Sequence, residues 1–141
     1  MVGPLLAHLE ELQAAYAETL RQRGNRHLED HDVYHQCLTF AAAADHAAAL
    51  IGPLRDRYDG ASDWSTPLPG DGTTLLEDLR SLYLMAYAVA VTWTIALQAA
   101  MALRDADLKD VAGTCHADAE MQANWFLTRI KTGAPQALVV R

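Results

Sequence analysis

The sequence is short of cysteine, of positive charge and of the residues that favour β-strands. Two cysteines in 141 residues do not make a disulfide framework, so we expect a reducing, cytoplasmic setting. The 11 lysines and arginines are outnumbered by 18 acids, which gives a net charge of −7, and they do not gather on one predicted helix face. Because nucleic-acid binding needs a basic surface, we predict no nucleic-acid partner.

The composition indicates a single all-α domain over residues 1–141. Hydrophobic residues make up 51% of the chain, which excludes a disordered segment, and much of that fraction is alanine. Alanine has the highest helix propensity, whereas the β-branched and aromatic clusters typical of strands are scarce. We therefore predict a four-helix bundle with a core of its own.

One central segment contains no charge at all. It reads SLYLMAYAVAVTWTIALQAAMAL from Ser81 to Leu103, between Arg80 and Arg104. This length is sufficient to cross a bilayer. Several polar residues lower its hydropathy, however, and neither end carries the cluster of Lys and Arg that orients membrane helices. We therefore predict a helix buried by protein, and no membrane partner.

Apolar periodicity and turn residues predict four helices over about 4–23, 26–57, 74–103 and 106–132. The third begins with the capping-box spacing Thr74-x-x-Glu77. The loop 59–72 between the second and third helices is rich in Gly, Pro, Asp and Ser, and it is long enough to run the length of a bundle. Two hairpins joined by one long crossover are therefore predicted.

Prolines and the C-terminal residues give three further expectations. Pro53 predicts a kink or an end of the second helix at Gly52. Gly133 followed by Pro135 predicts the end of the fourth helix. The apolar tail QALVVR, residues 136–141, is expected to pack back on the bundle.

The ending NWFLTRIKTGAPQAL, Asn124–Leu138, resembles the last helix of small bacterial ferritin-like proteins, and the two-hairpin architecture is similar to that superfamily. The resemblance implies a bundle with an iron pair held by Glu residues and Glu-x-x-His motifs. The chain does not supply these ligands. Ala43 stands where a Glu should precede His46, and Ala123 stands where a His should follow Glu120.

The other two helices also lack the acids for an iron pair. The third has no acid between Asp78 and Asp105, and Glu18 in the first helix falls opposite the apolar stripe. We therefore expect a degenerate member of the superfamily, without ferroxidase or oxygenase activity. No cofactor is expected, and a catalytic residue cannot be named from the sequence.

A row of histidines is the first alternative site. His27, His31 and His35 follow one another at four-residue steps. His46 lies three turns further along the same predicted helix. Two imidazoles four residues apart on one helix can share Zn or Cu, and Ni is a third candidate. The same spacing is typical of a solvated polar helix start, so metal binding remains one hypothesis beside that simpler interpretation.

Two further groups complete the candidate residues. Cys37 and Cys115 both fall on the inner stripes of their helices, where a buried thiol usually behaves as a small hydrophobic side chain. Two alternatives are a redox pair formed by the two thiols and a metal site that they share with His116. His116 and Glu120 are spaced to form a surface pair. The candidates for a pocket or interface are Tyr34, Tyr83, Tyr87, Trp93, His116 and Trp125, although aromatic residues at helical spacing are more often part of the core.

Three function classes follow. The first, which we favour, is a non-catalytic bundle that acts through homodimerisation and through binding of a protein or small ligand. Its interface would be the third helix or the adjoining surface of the second, because neighbouring helices cannot cover an apolar helix on every side. The second is a metal-binding protein that uses the histidine row. The third is a cofactor-independent enzyme with an internal cavity lined by Tyr and His.

Overall fold

A computed structural model describes residues 1–70 and 72–139. Four helices account for most of the chain: α1 (Val2–Asn25), α2 (His31–Arg55), α3 (Leu75–Leu103) and α4 (Ala106–Leu138). Within the described ranges there is no strand. The prediction of an all-α four-helix bundle is confirmed.

The helices form two antiparallel hairpins, α1–α2 and α3–α4, that lie side by side. Helix α1 packs against α2 and α3, while α4 packs closely against α3 and more loosely against α2. Arg23, late in α1, meets Asp78 at the start of α3. Arg129, late in α4, meets Asp32 at the start of α2. Each helix therefore runs antiparallel to both of its neighbours.

The link between α2 and α3 follows α1 from one end of the bundle to the other, as a long crossover should. A Cβ on Gly3 would lie 2.0 Å from the carbonyl oxygen of Asp59, so only glycine permits this approach. Further along, His8 Nε2 lies 2.7 Å from Thr66 Oγ1. The link covers the outer side of α1, and residues 3–9 are consequently all buried.

Two hydrogen-bonded side-chain pairs cross the apolar centre of the bundle. The indole N–H of Trp93 donates to Gln13 Oε1 at 2.9 Å, and the Tyr16 hydroxyl donates to Gln122 Oε1 at 2.9 Å. Burial raises the pKa of Tyr16 well above its ordinary value, so this hydroxyl stays protonated and remains a donor. The pairs tie α1 to α3 and to α4 without leaving a buried polar atom unpaired in the described part of the chain.

The starts of α3 and α4 are fixed by side-chain caps. Thr74 Oγ1 accepts from the Glu77 N–H, and the Glu77 carboxylate accepts from the Thr73 N–H, as expected from the T-x-x-E spacing. Asp105 caps α4 by accepting from the Leu108 N–H, and its second carboxylate oxygen accepts from the Tyr58 hydroxyl. That bond to Tyr58 holds the pKa of Asp105 below its usual value.

Helix α2 begins at His31, five residues after the predicted start near 26. The chain between α1 and α2 makes a turn in which the Arg26 N–H donates to the Arg23 carbonyl and the His27 N–H to the Gly24 carbonyl. A Cβ on Gly24 would lie 2.7 Å from the Cys37 Cβ, so glycine allows the hairpin to close tightly at this end.

The prolines do not end their helices, so the ends predicted at Gly52 and Gly133 were wrong, while the kink predicted as the alternative at Gly52 stays a prediction. Helix α2 continues through Pro53 to Arg55, and α4 continues through Pro135 to Leu138. A proline leaves the carbonyl four residues earlier without its helical donor. Those carbonyls belong to Ala49 and Lys131. Both residues are exposed, so water can donate a hydrogen bond to each carbonyl oxygen.

The C-terminal tail does not pack back within the described residues. Leu138 is 74% exposed and Val139 is 76% exposed, because the last turns of α4 extend past the rest of the bundle. Residues 140 and 141 of the predicted tail lie outside the described residues. The expectation that the tail packs back on the bundle is therefore wrong for residues 136–139.

Helices α2 and α3 are both long and apolar enough to cross a membrane, judged by length and composition alone. A helix in the core of a bundle passes the same test. On α3, one side is buried against α1 and α4, including Leu82, Val89 and Trp93. Its opposite side is exposed, so protein within one chain does not cover α3 completely.

Candidate functional site

Four large apolar residues form an exposed row on α3, here called the α3 stripe: Leu84, Tyr87, Val91 and Ile95. They are 43%, 55%, 43% and 39% exposed, respectively. Steps of three and four residues place them on one face of the helix. Since residues 81–103 carry no charge, this face offers an apolar surface with nothing ionised within it.

A groove of about 280 Å³ lies between α3 and α4 beside the α3 stripe. Ala90 on α3 and Ala123 on α4 are buried and carry small side chains, which leave room between the two helices. Longer side chains line the rest of the groove: Tyr83, Tyr87, Val91 and Thr94 from α3, with His116, Glu120 and Asn124 from α4. Its volume suits a small ligand.

Glu120 supplies the one carboxylate that lines this groove. His116 Nε2 lies 3.6 Å from Glu120 Oε2, and neither Lys nor Arg is among the lining residues. The rings of Tyr83 and Tyr87 lie with their centroids 6.1 Å apart and their planes tilted by 35°. The groove thus combines two phenol rings, one carboxylate with the His116 imidazole beside it, and the hydrogen-bonding groups of Thr94 and Asn124.

Three of the six predicted pocket or interface residues meet in this groove, namely Tyr83, Tyr87 and His116. The other three do not. Trp93 is fully buried in the core, and Trp125 is partly buried against Phe40, with ring centroids 6.0 Å apart. Tyr34 makes an edge contact with His35 on α2. Sequence spacing cannot separate these two groups, because aromatic residues recur at helical steps on both inner and outer faces.

The histidine row is broken by the late start of α2. His27 lies before the helix, and its Nε2 is 2.7 Å from Asp78 Oδ2. His31, His35 and His46 are exposed on α2. The described ranges contain no group of three or more His, Cys, Asp or Glu residues placed to hold a metal. His27 is therefore separated from the row, whereas His31 and His35 remain four residues apart on α2, and the Zn, Cu or Ni hypothesis stays a prediction for that pair.

A buried ion cluster joins three segments at one end of the bundle. Asp78, 1% exposed, lies 2.5 Å from Arg23 Nη1 and 3.5 Å from Arg26 Nη1, in addition to its contact with His27. Arg26 also donates to the Gly72 carbonyl at 2.6 Å. This cluster was not predicted from the sequence. A crossover that runs along α1 brings the start of α3 to the end of α1, and this would have indicated that Asp78 lies near Arg23.

The bundle centre does not fit an iron pair or a substrate. Asp78, at the end of the bundle, is the one buried acid among the described residues, and Glu18 is exposed as predicted. The crevice beside Gln13 and Gln122 has a volume of about 10 Å³, room for about one water molecule. An enzyme with an internal cavity requires more space than this crevice provides.

Cys37 and Cys115 are both free and buried. Cys115 faces the crevice lined by Ala43, Ala44 and Ala47, and Ala44 lies about two helical turns beyond Cys37 on α2. The two thiols therefore lie at different levels of the bundle. Burial raises the pKa of each thiol to about 12, which keeps both protonated near neutral pH.

We expect neither thiol to react with a water-soluble disulfide reagent at pH 8 while the protein is folded, because each is buried and has a pKa near 12. In denaturant, both cysteines should react within the dead time of a manual assay. The measurement is a colorimetric thiol titration with and without guanidinium. Rapid modification of one cysteine in the folded protein would show that its surroundings are open and would revive the redox interpretation.

Comparison with known proteins gives no assignment. No family model, curated protein or solved structure matches this chain. The architecture is therefore stated at the level that the structure supports, a four-helix all-α bundle. Any functional conclusion must come from the α3 stripe, the groove and the charges around them.

Proposed function

We propose that this protein is a non-catalytic, cytoplasmic helical bundle of ferritin-like type that acts as a homodimer, with the α3 stripe as the interface, and that binds a partner or small ligand beside it. The single observation that carries the proposal is the exposed, uncharged stripe of Leu84, Tyr87, Val91 and Ile95. A contiguous apolar surface of this kind is a common mark of a protein interface.

The spacing of the stripe favours a second copy of the same chain as the occupant. Extended by the exposed Gln98, the stripe has steps of three, four, four and three residues, which read the same in both directions. In an antiparallel pair centred on Val91, Tyr87 of one copy faces Ile95 of the other. A twofold interface must be self-complementary in this way.

The charges near the ends of α3 do not oppose this alignment. Glu77 and Arg104 are both exposed, one near each end of the helix. Antiparallel pairing about Val91 aligns Glu77 of each copy with the uncharged end of α3 before Arg104 of the other. Arg80 faces the neutral Ala102 in this register, and like charges do not meet within α3.

A helix crossing a membrane is the alternative for both apolar helices. Against it, the exposed side of α2 carries His31, Asp32 and Asp45, and charged side chains facing lipid are costly. The cluster around Asp78 also joins α1 and α3 by charged groups that favour a water-soluble bundle. Recovery of the folded protein without detergent is expected; a strict need for detergent would count against the cytoplasmic assignment.

We expect the wild-type protein to sediment as a dimer at tens of micromolar and the Ile95→Glu variant as a monomer, because the substitution places a carboxylate of each copy against Tyr87 of the other, inside an apolar contact. Sedimentation equilibrium measures the two masses directly. Leu38→Glu on α2 is the matched control, since Leu38 and Ile95 are each 39% exposed.

The control also decides between the two predicted interfaces. If Leu38→Glu dissociates the dimer and Ile95→Glu does not, the interface lies on α2. A wild-type chain that remains monomeric at tens of micromolar overturns the proposed dimer. Far-UV circular dichroism of both variants confirms that the helices are retained before the masses are compared.

A further inference from the structure

We propose that the groove between α3 and α4 binds a small organic cation that carries an alkylammonium group. This inference goes beyond the proposed dimer: one chain supplies all the lining residues, two of which, Tyr87 and Val91, also belong to the α3 stripe. The groove combines the carboxylate of Glu120 with the phenol rings of Tyr83 and Tyr87. Carboxylates attract ammonium groups by charge, and aromatic faces attract them through the ring quadrupole.

The absence of Lys and Arg from the lining disfavours an anionic ligand. Without a Lys or Arg in the lining, the groove has no fixed positive charge to hold a phosphate or a carboxylate. The net charge of −7 adds a long-range field that draws cations to the protein surface. Both the local and the overall charge therefore favour a cationic ligand.

The uncharged residues define the rest of the ligand. Ala90, Val91 and Ala123 give the groove an apolar side that suits a short alkyl chain. Thr94 and Asn124 add a hydroxyl and an amide, which can hydrogen-bond to a hydroxyl on the ligand. With about 280 Å³ available, the groove accommodates an amino alcohol or a quaternary ammonium alcohol, and choline is a suitable probe.

The test is a titration of the ¹⁵N-labelled protein with choline chloride, compared with 3,3-dimethylbutan-1-ol, which has the same shape without the charge. Sodium chloride keeps the ionic strength constant throughout. We expect choline to shift the amide resonances of residues 83–94 and 116–124 with millimolar affinity. The neutral alcohol should bind about three- to tenfold more weakly, in line with the strength of exposed cation–aromatic and charge contacts.

Two groove variants and one control variant test the residues. Glu120→Gln and Tyr87→Leu should each weaken choline binding about three- to fivefold, and Tyr87→Leu keeps the α3 stripe apolar. Glu11→Gln, which removes an exposed acid from α1 outside the groove, should leave the affinity unchanged. Equal binding of choline and the neutral alcohol, or unchanged binding in both groove variants, would overturn the proposal.

The same titration in the Ile95→Glu background separates this site from the dimer. Ile95 does not line the groove, whereas Tyr87 and Val91 belong to both the groove and the α3 stripe. The monomeric variant should therefore bind choline at least as tightly as the wild-type dimer. A monomeric wild-type protein that binds choline would refute only the dimer. A dimer whose groove resonances do not respond to choline would refute only the cation site.

Discussion

Replacing Asp78 with alanine is expected to lower the free energy of unfolding by about 3–5 kcal/mol, the cost of removing one partner from a buried ion pair. The side chain of Asp78 is 1% exposed and that of Arg23 is 5% exposed. Without the carboxylate, the Arg23 guanidinium loses the charge opposite it in a region that little water reaches. Such a loss removes a large share of the stability of an ordinary domain.

The expected loss is large because the Asp78 carboxylate joins segments that are distant in sequence. One oxygen accepts from Arg23 Nη1 of α1, and the other lies 2.7 Å from the His27 ring before α2. Arg23 also donates to the Gly70 carbonyl of the crossover at 3.1 Å. Losing the carboxylate therefore weakens the end of α1, the turn into α2 and the end of the crossover together.

Urea unfolding followed by circular dichroism measures the change, at one fixed protein concentration because association adds to apparent stability. The matched control is Asp45→Ala, which removes an acid paired with Arg21 on the surface. Their side chains are 52% and 44% exposed, so the expected loss is only about 0–1 kcal/mol. If Asp78→Ala and Asp45→Ala lower the free energy of unfolding by similar amounts, the cluster around Asp78 does not stabilise the bundle as inferred.

The sequence predicted those parts of the fold that depend on local chemistry. The cap formed by Thr74 and Glu77 is present because its donors and acceptors lie within one turn of chain. The prolines were misjudged for a physical reason. Pro53 and Pro135 lie near helix ends on exposed turns, where water replaces the lost hydrogen bond at small cost.

The site could be predicted only in part. The absence of charge between residues 81 and 103 indicated that α3 would need a partner surface, and Tyr83, Tyr87 and His116 were among the candidates. Their meeting in one groove was not predictable, because it depends on how α3 and α4 are rotated about their axes. The four-residue spacing of the histidines predicted one continuous row, but α2 begins at His31, so His27 is not part of it. The start of a helix depends on how the hairpin turn closes, which spacing alone does not predict.

Replacing Trp93 with alanine is expected to cost about 3–5 kcal/mol of unfolding free energy, the range for an aromatic side chain removed from a core. Trp93 is fully buried at the centre of the bundle, and its indole N–H donates to Gln13 Oε1. Alanine would leave a cavity where the ring had been. It would also leave the Gln13 oxygen without a donor in a water-poor region, which adds to the loss.

Trp93→Phe separates these two contributions, because phenylalanine fills most of the space but donates no hydrogen bond. We expect it to cost about 1–3 kcal/mol, the penalty of an unsatisfied buried acceptor. Trp64→Ala is the matched control for tryptophan itself. Trp64 is 44% exposed on the crossover and stacks on His8 with ring centroids 6.4 Å apart, so its loss should cost less than about 1 kcal/mol.

The order of the three variants tests the description of the bundle centre. The free energy of unfolding, measured in urea at fixed protein concentration, should be lowest for Trp93→Ala, higher for Trp93→Phe and highest for Trp64→Ala. If Trp93→Ala were as stable as Trp64→Ala, the centre could not be the filled, hydrogen-bonded core described above. It would then have room for a ligand, and the interpretation of the protein as an enzyme with an internal cavity would gain support.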